Sequence, residues 1–185
     1  MVEGSGEAPV FLIGFMATGK TTVGRLVARR RGWAFVDLDE TITSAAGMSV
    51  ADIFAREGEA GFRRREAEAI RTAATRPRTV VATGGGAACR EENLQVMLTS
   101  GRVVALSATP AEVLRRTGRG SGRPLLDGKA DPLGTAAALL AQREPFYARA
   151  HHTVDTVGKA PADVAALVLA ALDGASGDII EGEKK

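Results

Sequence analysis

Short apolar runs alternate with longer stretches of helical spacing along this chain of 185 residues. Val10–Ile13 is a continuous apolar run and reads as a buried strand, followed at once by the Gly-rich Gly14–Lys20. From Thr21 the apolar positions change to Val23, Leu26 and Val27, one face of a helix. Ala34–Val36 reads as a second strand, ending in Asp37-Leu38-Asp39. Ser49-Val50-Ala51-Asp52 has the form of a capping box opening a helix that Gly58 interrupts. A further helical stretch, Glu59 to Thr75, carries Phe62, Ala69, Ile70 and Ala73 on its apolar side. Thr79–Ala82 is a third strand, stopped by Gly84-Gly85-Gly86. Leu94, Met97 and Leu98 mark a helix, and Arg102–Leu106 a fourth strand. Thr109 with Pro110 reads as N-cap and first residue of the next helix. Gly118–Ala130 is rich in glycine and charge without period, and reads as a mobile loop. Asp131–Arg149 returns to helix, His152–Val154 is a fifth strand, and Pro161–Leu172 a final helix.

Strands that alternate with helices predict an α/β fold around a parallel sheet. The length suits one domain, expected over residues 10–172 between loose tails at 1–9 and 173–185. Hydrophobic content of 45% with 25% charged residues is that of a globular protein. No apolar run is long enough to span a membrane, and the first residues lack the apolar segment of a signal peptide. A cytoplasmic location is the resulting expectation. Cys89 is the only cysteine, which excludes an internal disulfide and a cysteine metal cluster. The formal charge of +2 is unevenly spread: both tails are acidic, and Val10–Leu172 holds 22 basic against 16 acidic residues. A basic body suits an anionic ligand. No nucleic-acid-binding motif or interleaved aromatics accompany it, so no nucleic-acid partner is expected.

Gly14-Phe15-Met16-Ala17-Thr18-Gly19-Lys20-Thr21 fits G-x-x-x-x-G-K-[ST] at every fixed position, between a predicted strand and a predicted helix. Its backbone N–H groups would curl around phosphate oxygens, with the positive end of the following helix behind them. Lys20 would reach the β- and γ-phosphates, and the Thr21 hydroxyl is placed to ligate Mg²⁺. This loop predicts binding of a nucleoside triphosphate.

The acidic and basic candidates are less specific. A period of two would put Asp37 and Asp39 on one side of the strand, Leu38 on the other. One carboxylate could support the Mg²⁺ hydration shell and the other grip an acceptor hydroxyl; equally, both could be solvated acids. An arginine of Phe62-Arg63-Arg64-Arg65-Glu66 could fork onto a substrate carboxylate, although such runs are usually surface charge. Arg143 is equally open. Gly84–Gly86 would let a ligand approach bare backbone N–H groups, or could be a structural turn.

Taken in series, these motifs resemble the shikimate kinases. Gly14–Thr22, Asp37-Leu38-Asp39, Phe62-Arg63-x-x-Glu66, Gly84-Gly85-Gly86, Arg123-Pro124-Leu125-Leu126 and Arg143-x-x-x-Tyr147 occur in that family's order and spacing, between about Val10 and Leu172. The resemblance implies a three-layer sandwich with a five-stranded parallel sheet, of the P-loop NTPase and nucleoside monophosphate kinase-like type, with 118–130 as its lid. It implies ATP contacts at Ala17, Thr18, Gly19, Lys20, Thr21 and Thr22, and Arg116 and Pro161 flanking the adenine. Lys159 would be a further nucleotide contact, and Arg123 would sit on the lid over the phosphates. Asp39, Arg63, Gly85, Gly86 and Arg143 would bind shikimate, with Glu66 orienting Arg63 and Phe54 and Phe62 walling the ring. Thr21 and, through water, Asp37 would hold Mg²⁺. Lys20, Asp39 and Arg123 would carry catalysis: Asp39 orients the 3-hydroxyl, Lys20 and Arg123 stabilise charge on the transferred phosphoryl group. A monomer is expected. The chain departs from the common pattern at Ala17-Thr18, where Gly or Ser is frequent, and at Ala88, where a larger aliphatic is usual. The rivals are a kinase of another small metabolite such as gluconate, and a non-catalytic nucleotide-dependent regulator. The second would be expected to lack some of Lys20, Thr21, Asp37, Asp39 and Arg123, all of which are present.

Overall fold

The fold, seen in a computed structural model that describes residues 8–117 and 130–174, is built on five parallel strands in the order β2-β3-β1-β4-β5. These are β1 (Val10–Ile13), β2 (Ala34–Asp37), β3 (Thr79–Ala82), β4 (Arg102–Ser107) and β5 (His152–Asp155). The central strand β1 is apolar at every position and buried at every position. Both its neighbours pair with it in parallel, Phe11 opposite Val81 on one side and Val103 on the other.

Because successive strand residues face opposite ways, β1 feeds two cores. Val10 and Leu12 join Val23, Val27 and Ala28 of α1 (Lys20–Arg31) and Val164, Ala165 and Val168 of α7 (Pro161–Leu172). On the other face, Phe11 and Ile13 meet Ile70 and Ala73 of α3 (Val50–Ala74), Leu94 and Met97 of α4 (Glu91–Ser100), Val113 of α5 (Pro110–Thr117), and Ala136 and Tyr147 of α6 (Pro132–Tyr147). Helices on both faces of a parallel sheet give the expected three layers. Among the described residues, no helix is long and apolar enough to cross a membrane.

One element departs from the sequence reading. Asp37 closes β2 but Leu38 and Asp39 belong to a helix, α2 (Leu38–Ala46). The alternation argument therefore does not hold at Asp39. The physical reason is capping: Asp37 is extended (φ −100°, ψ 121°) and its carboxylate accepts from the Asp39 and Glu40 N–H groups. Leu38 and Ile42, one turn apart, then face inward, and Ile42 packs on Ile53 and Phe62 of α3. The capping box at Ser49 is present, its hydroxyl accepting from Asp52 N–H and the Asp52 carboxylate accepting back. Gly58, at φ 68° and ψ −179°, is non-helical and breaks α3 into two helical stretches, as expected from the sequence. Beyond Pro161–Leu172, Asp173 pairs with Arg31 of α1.

Candidate active site

All five strands point the same way, so the loops after them gather at one edge of the sheet, where open parallel folds bind ligands. Gly14 turns the chain out of β1 at φ 137°, and a Cβ there would lie 2.3 Å from the Leu106 carbonyl oxygen. Only glycine fits. The loop then runs to Gly19 (φ 93°), the N-cap of α1. The Thr18 hydroxyl donates to the Phe15 carbonyl (2.9 Å), bracing the loop from within. Lys20 Nζ, buried among loop atoms, donates to the Gly14 and Phe15 carbonyls at 2.9 and 2.7 Å. Its ammonium is thus held against the start of the loop that leads into α1.

At the end of β2, Thr21 donates its hydroxyl to Asp37 (2.7 Å). Asp37 accordingly joins the phosphate loop to the cap of α2 and fixes Asp39 in the first turn of that helix. A hydroxyl and a carboxylate in contact are hard oxygen donors, suited to Mg²⁺ held by few protein ligands. Among the described residues there is no group of three or more His, Cys, Asp or Glu that could hold a metal, so a richer protein cage is not offered there.

The glycine run after β3 brings the remaining candidates together. Cβ positions built on the three glycines meet different groups in turn. At Gly84 they lie 3.1 Å from Asp39 Oδ1 and 3.2 Å from Glu66 Oε1; at Gly85, 3.4 Å from the Met16 nitrogen and 3.6 Å from Arg143 Nη1; at Gly86, 3.4 Å from both terminal nitrogens of Arg63. Side chains on these residues would fill the space between a carboxylate pair, the phosphate loop and two guanidinium groups. At Gly85 the phosphate loop and Arg143 both come within 4 Å of one such Cβ position.

Arg63 donates to Glu66 (3.0 Å) and to Glu59 (3.2 and 3.3 Å), and lies against the Phe62 ring. Burial pushes the Glu66 carboxyl above its usual range; the Arg63 guanidinium opposes that shift, and the nearby Asp39 charge adds to it. Phe62 is buried and Phe54 39% exposed, their rings stacked with centroids 4.9 Å apart. Phe54 thus has a face open to a ligand. Arg143 spans from the Phe15 ring (5.3 Å) to the Gly85 carbonyl (3.1 Å). A separate cleft of about 320 Å³ between α2 and α3 is lined by Val36, Leu38, Ile42 and Ala69, with Arg65 and Arg76 among its polar residues. It includes none of the candidate residues.

Where the adenine is expected, Arg116 donates to the Ala17 carbonyl (3.2 Å), the Thr156 hydroxyl (2.9 Å) and the Thr156 carbonyl (2.6 Å), with Glu112 on its Nε. Lys159 pairs with Asp155 (2.8 Å), and Pro161 opens α7 immediately beyond this loop. Arg123 and residues 118–129 of the expected lid lie outside the described residues.

Among the residues of the site to which the sequence assigned no role are Glu59, which holds Arg63, Thr156 and Tyr147. Thr156 holds Arg116, and nothing in the chain around it signals that. Tyr147 shares the Gly85 carbonyl with Arg143 (2.6 Å), and its position one helical turn after Arg143 was a usable signal.

A phosphate loop at the end of β1, beside a pocket of paired arginines and carboxylates, defines a P-loop kinase of a small anionic acceptor. The comparisons narrow the class. The family model for shikimate kinase matches residues 16–173. A shikimate kinase from Symbiobacterium thermophilum is 53% identical over 146 residues, 77% of this chain and 83% of that protein. One from Moorella thermoacetica is 47% identical over 163 residues, 88% of this chain and 93% of that protein. The structure of the Acinetobacter baumannii shikimate kinase in complex with shikimate superposes with a TM-score of 0.86 at 36% identity, covering 92% of this chain and 95% of that one. The chain belongs to the shikimate kinase family.

Proposed function

We propose that this protein transfers the γ-phosphoryl group of ATP to the 3-hydroxyl of shikimate, giving shikimate 3-phosphate and ADP, as a step of chorismate and aromatic amino-acid biosynthesis. The observation that carries this reading is the meeting at Gly85 of the phosphate loop, through Met16, and the Arg143 guanidinium. Family membership supports it independently.

Arg63 and Arg143 clamp the acceptor carboxylate, each able to offer a planar pair of donors. Glu66 and Glu59 hold Arg63 in its orientation. Asp39 receives the acceptor hydroxyls and turns one toward the phosphate loop, and Phe54 with Phe62 covers the ring. Transfer of a phosphoryl group through a loose transition state asks for positioning and charge stabilisation more than covalent chemistry. Lys20 supplies that stabilisation. Arg123 is assigned to the same task by its motif alone. Arg116 and Pro161 flank the adenine, and Lys159 contacts the nucleotide. Mg²⁺, ligated by Thr21 and through water by Asp37, would neutralise phosphate charge when bound with ATP. The remaining expectations, a monomer in the cytoplasm with lid residues 118–130 over the phosphates, are part of the same proposal.

ADP release by the purified protein, followed with shikimate, with gluconate and without acceptor, tests the reading. Turnover should depend on shikimate, with a new phosphate monoester on its 3-hydroxyl by ³¹P and ¹H NMR. Turnover that gluconate supports equally well would overturn the acceptor assignment.

A further inference from the structure

The Gly85 carbonyl accepts two hydrogen bonds from one helix: 3.1 Å from Arg143 Nη1 and 2.6 Å from the Tyr147 hydroxyl. Arg143 and Tyr147 are four residues apart on α6, so they stack on one face and converge on the same atom. A carbonyl has two lone pairs, and both are used. The Tyr147 ring is 6% exposed and fixed within the core that covers the α6 face of the sheet. Its hydroxyl also neighbours the Cys89 thiol, and burial holds the phenol well above its ordinary pKa, so it remains a donor.

Two consequences follow from covalent geometry and from the role given to Arg143. The peptide joining Gly85 to Gly86 is planar and trans, so fixing the Gly85 oxygen fixes the Gly86 N–H in the opposite direction. That N–H has no acceptor among the described residues, and its residue packs against the Arg63 guanidinium. Arg143, meanwhile, has two claims on it: the Gly85 carbonyl, and the acceptor carboxylate in the reading above, on which this inference rests.

We propose that Tyr147 is a positioning residue that keeps the Gly85 carbonyl satisfied, freeing Arg143 to turn onto the acceptor carboxylate while the Gly86 N–H stays aimed beside Arg63. Without the hydroxyl, Arg143 is the only donor left to that carbonyl. Each engagement of Arg143 with acceptor then strips a half-buried carbonyl of its last partner and loosens the peptide that carries the Gly86 N–H. The ring alone supplies packing; the hydroxyl supplies function.

Tyr147→Phe separates the two, since it keeps the ring in the core. The expected result is a KM for shikimate raised about threefold to tenfold, the scale of one neutral hydrogen bond, with the KM for ATP within twofold of wild type and the melting temperature nearly unchanged. In an Arg143→Ala background the same substitution should have a smaller effect, because no guanidinium remains to be diverted. The Gly86 amide resonance of the free protein should shift in Tyr147→Phe, a readout that needs no acceptor and therefore stands even if wild-type enzyme fails to turn over shikimate. A shikimate KM within twofold of wild type, equal losses for both substrates, full additivity with Arg143→Ala, or an unmoved Gly86 resonance would each overturn the proposal.

Discussion

The two halves of the site are made differently. The phosphate half of the proposed site is eight consecutive residues, Gly14 to Thr21, and the groups assigned to it are mostly backbone N–H groups of the loop and the start of α1. Its shape depends on backbone conformations that only some residues can adopt, as at Gly14. The proposed acceptor half is collected from α2, α3, the loop after β3 and α6, and the groups assigned to it are side chains: Asp39, Arg63, Glu66 and Arg143. Only at the glycine run does backbone serve it. One half is a local motif on a rigid strand-to-helix turn; the other is a consequence of tertiary packing. Substitutions should therefore divide between them, with nucleotide handling and acceptor recognition failing separately.

The largest separation should come from Lys20→Ala. It removes a cation from the transferring phosphoryl group, so kcat should fall at least about a hundredfold, the scale of losing one transition-state donor. Shikimate binding, measured by isothermal titration without nucleotide, should change little. A variant with more than half of wild-type kcat would remove this loop from the chemistry.

Next in size is Arg63→Lys, which keeps the charge and loses the planar fork. Lysine cannot reproduce the simultaneous bonds to Glu59 and Glu66 that hold Arg63 facing Gly86. Shikimate affinity should fall roughly tenfold to a hundredfold, the range for hydrogen bonds to charged groups, with ATP affinity held. A neutral amide analogue of shikimate should bind wild type poorly and lose little more in the variant. If both substrates weaken together, the division between halves is wrong.

These differences in construction also decide what could be read from sequence. β1, with Val80–Ala82 of β3 and Val103–Leu106 of β4, forms continuous buried apolar stretches, and such strands announce themselves. The phosphate loop is equally legible, because its chemistry and its backbone are the same eight residues. The helix α2 was not, since Thr41, Thr43 and Ser44 favour helix weakly and two carboxylates around a leucine imitate strand alternation. What makes it a helix is the Asp37 cap and the burial of Leu38 and Ile42 against α3, and the second of these is tertiary. Within the acceptor half, single residues such as Arg63 and Arg143 were indistinguishable from surface charge until a series of motifs was taken together. Gly85 meeting both Met16 and Arg143 could not be seen from spacing at all.

A smaller effect, confined to the acceptor half, concerns pH. Burial raises the Glu66 pKa above its ordinary 4.5, with Arg63 pulling against that shift. The folded state thus holds this proton more tightly than the unfolded chain. Ionised Glu66 opposes folding: the penalty is absent below the unfolded pKa, grows as pH rises from there through the folded pKa, and is constant above it. Glu66→Gln lacks this titration. Melting temperatures of variant and wild type measured from pH 4 to 8 should therefore diverge in the variant's favour with rising pH, whatever their offset at pH 4. At pH 7 the variant should nevertheless bind shikimate more weakly, since Arg63 loses a charged partner. A difference in melting temperature that is flat across the range would refute the assigned environment of Glu66.

The smallest expected effect tests the backbone character of the phosphate half. Ala17 sits at φ 58°, a left-handed conformation that a Cβ disfavours by about 1–2 kcal/mol. Glycine removes that strain but gives up about 0.5–1 kcal/mol through its freer unfolded chain. The balance favours Ala17→Gly by up to about 1.5 kcal/mol, which for a domain of this size raises the melting temperature by up to about 6 °C. The Arg116 hydrogen bond to residue 17 uses its carbonyl and survives the change. Ala17→Val should do the reverse, because a β-branched residue is an outlier at positive φ. Neither substitution touches the glycine run after β3, Arg63 or Arg143, so the KM for shikimate should stay within twofold in both. If the glycine variant melts lower than wild type, the loop is not limited by the backbone of residue 17, and shape in the phosphate half depends on side chains as it does in the acceptor half.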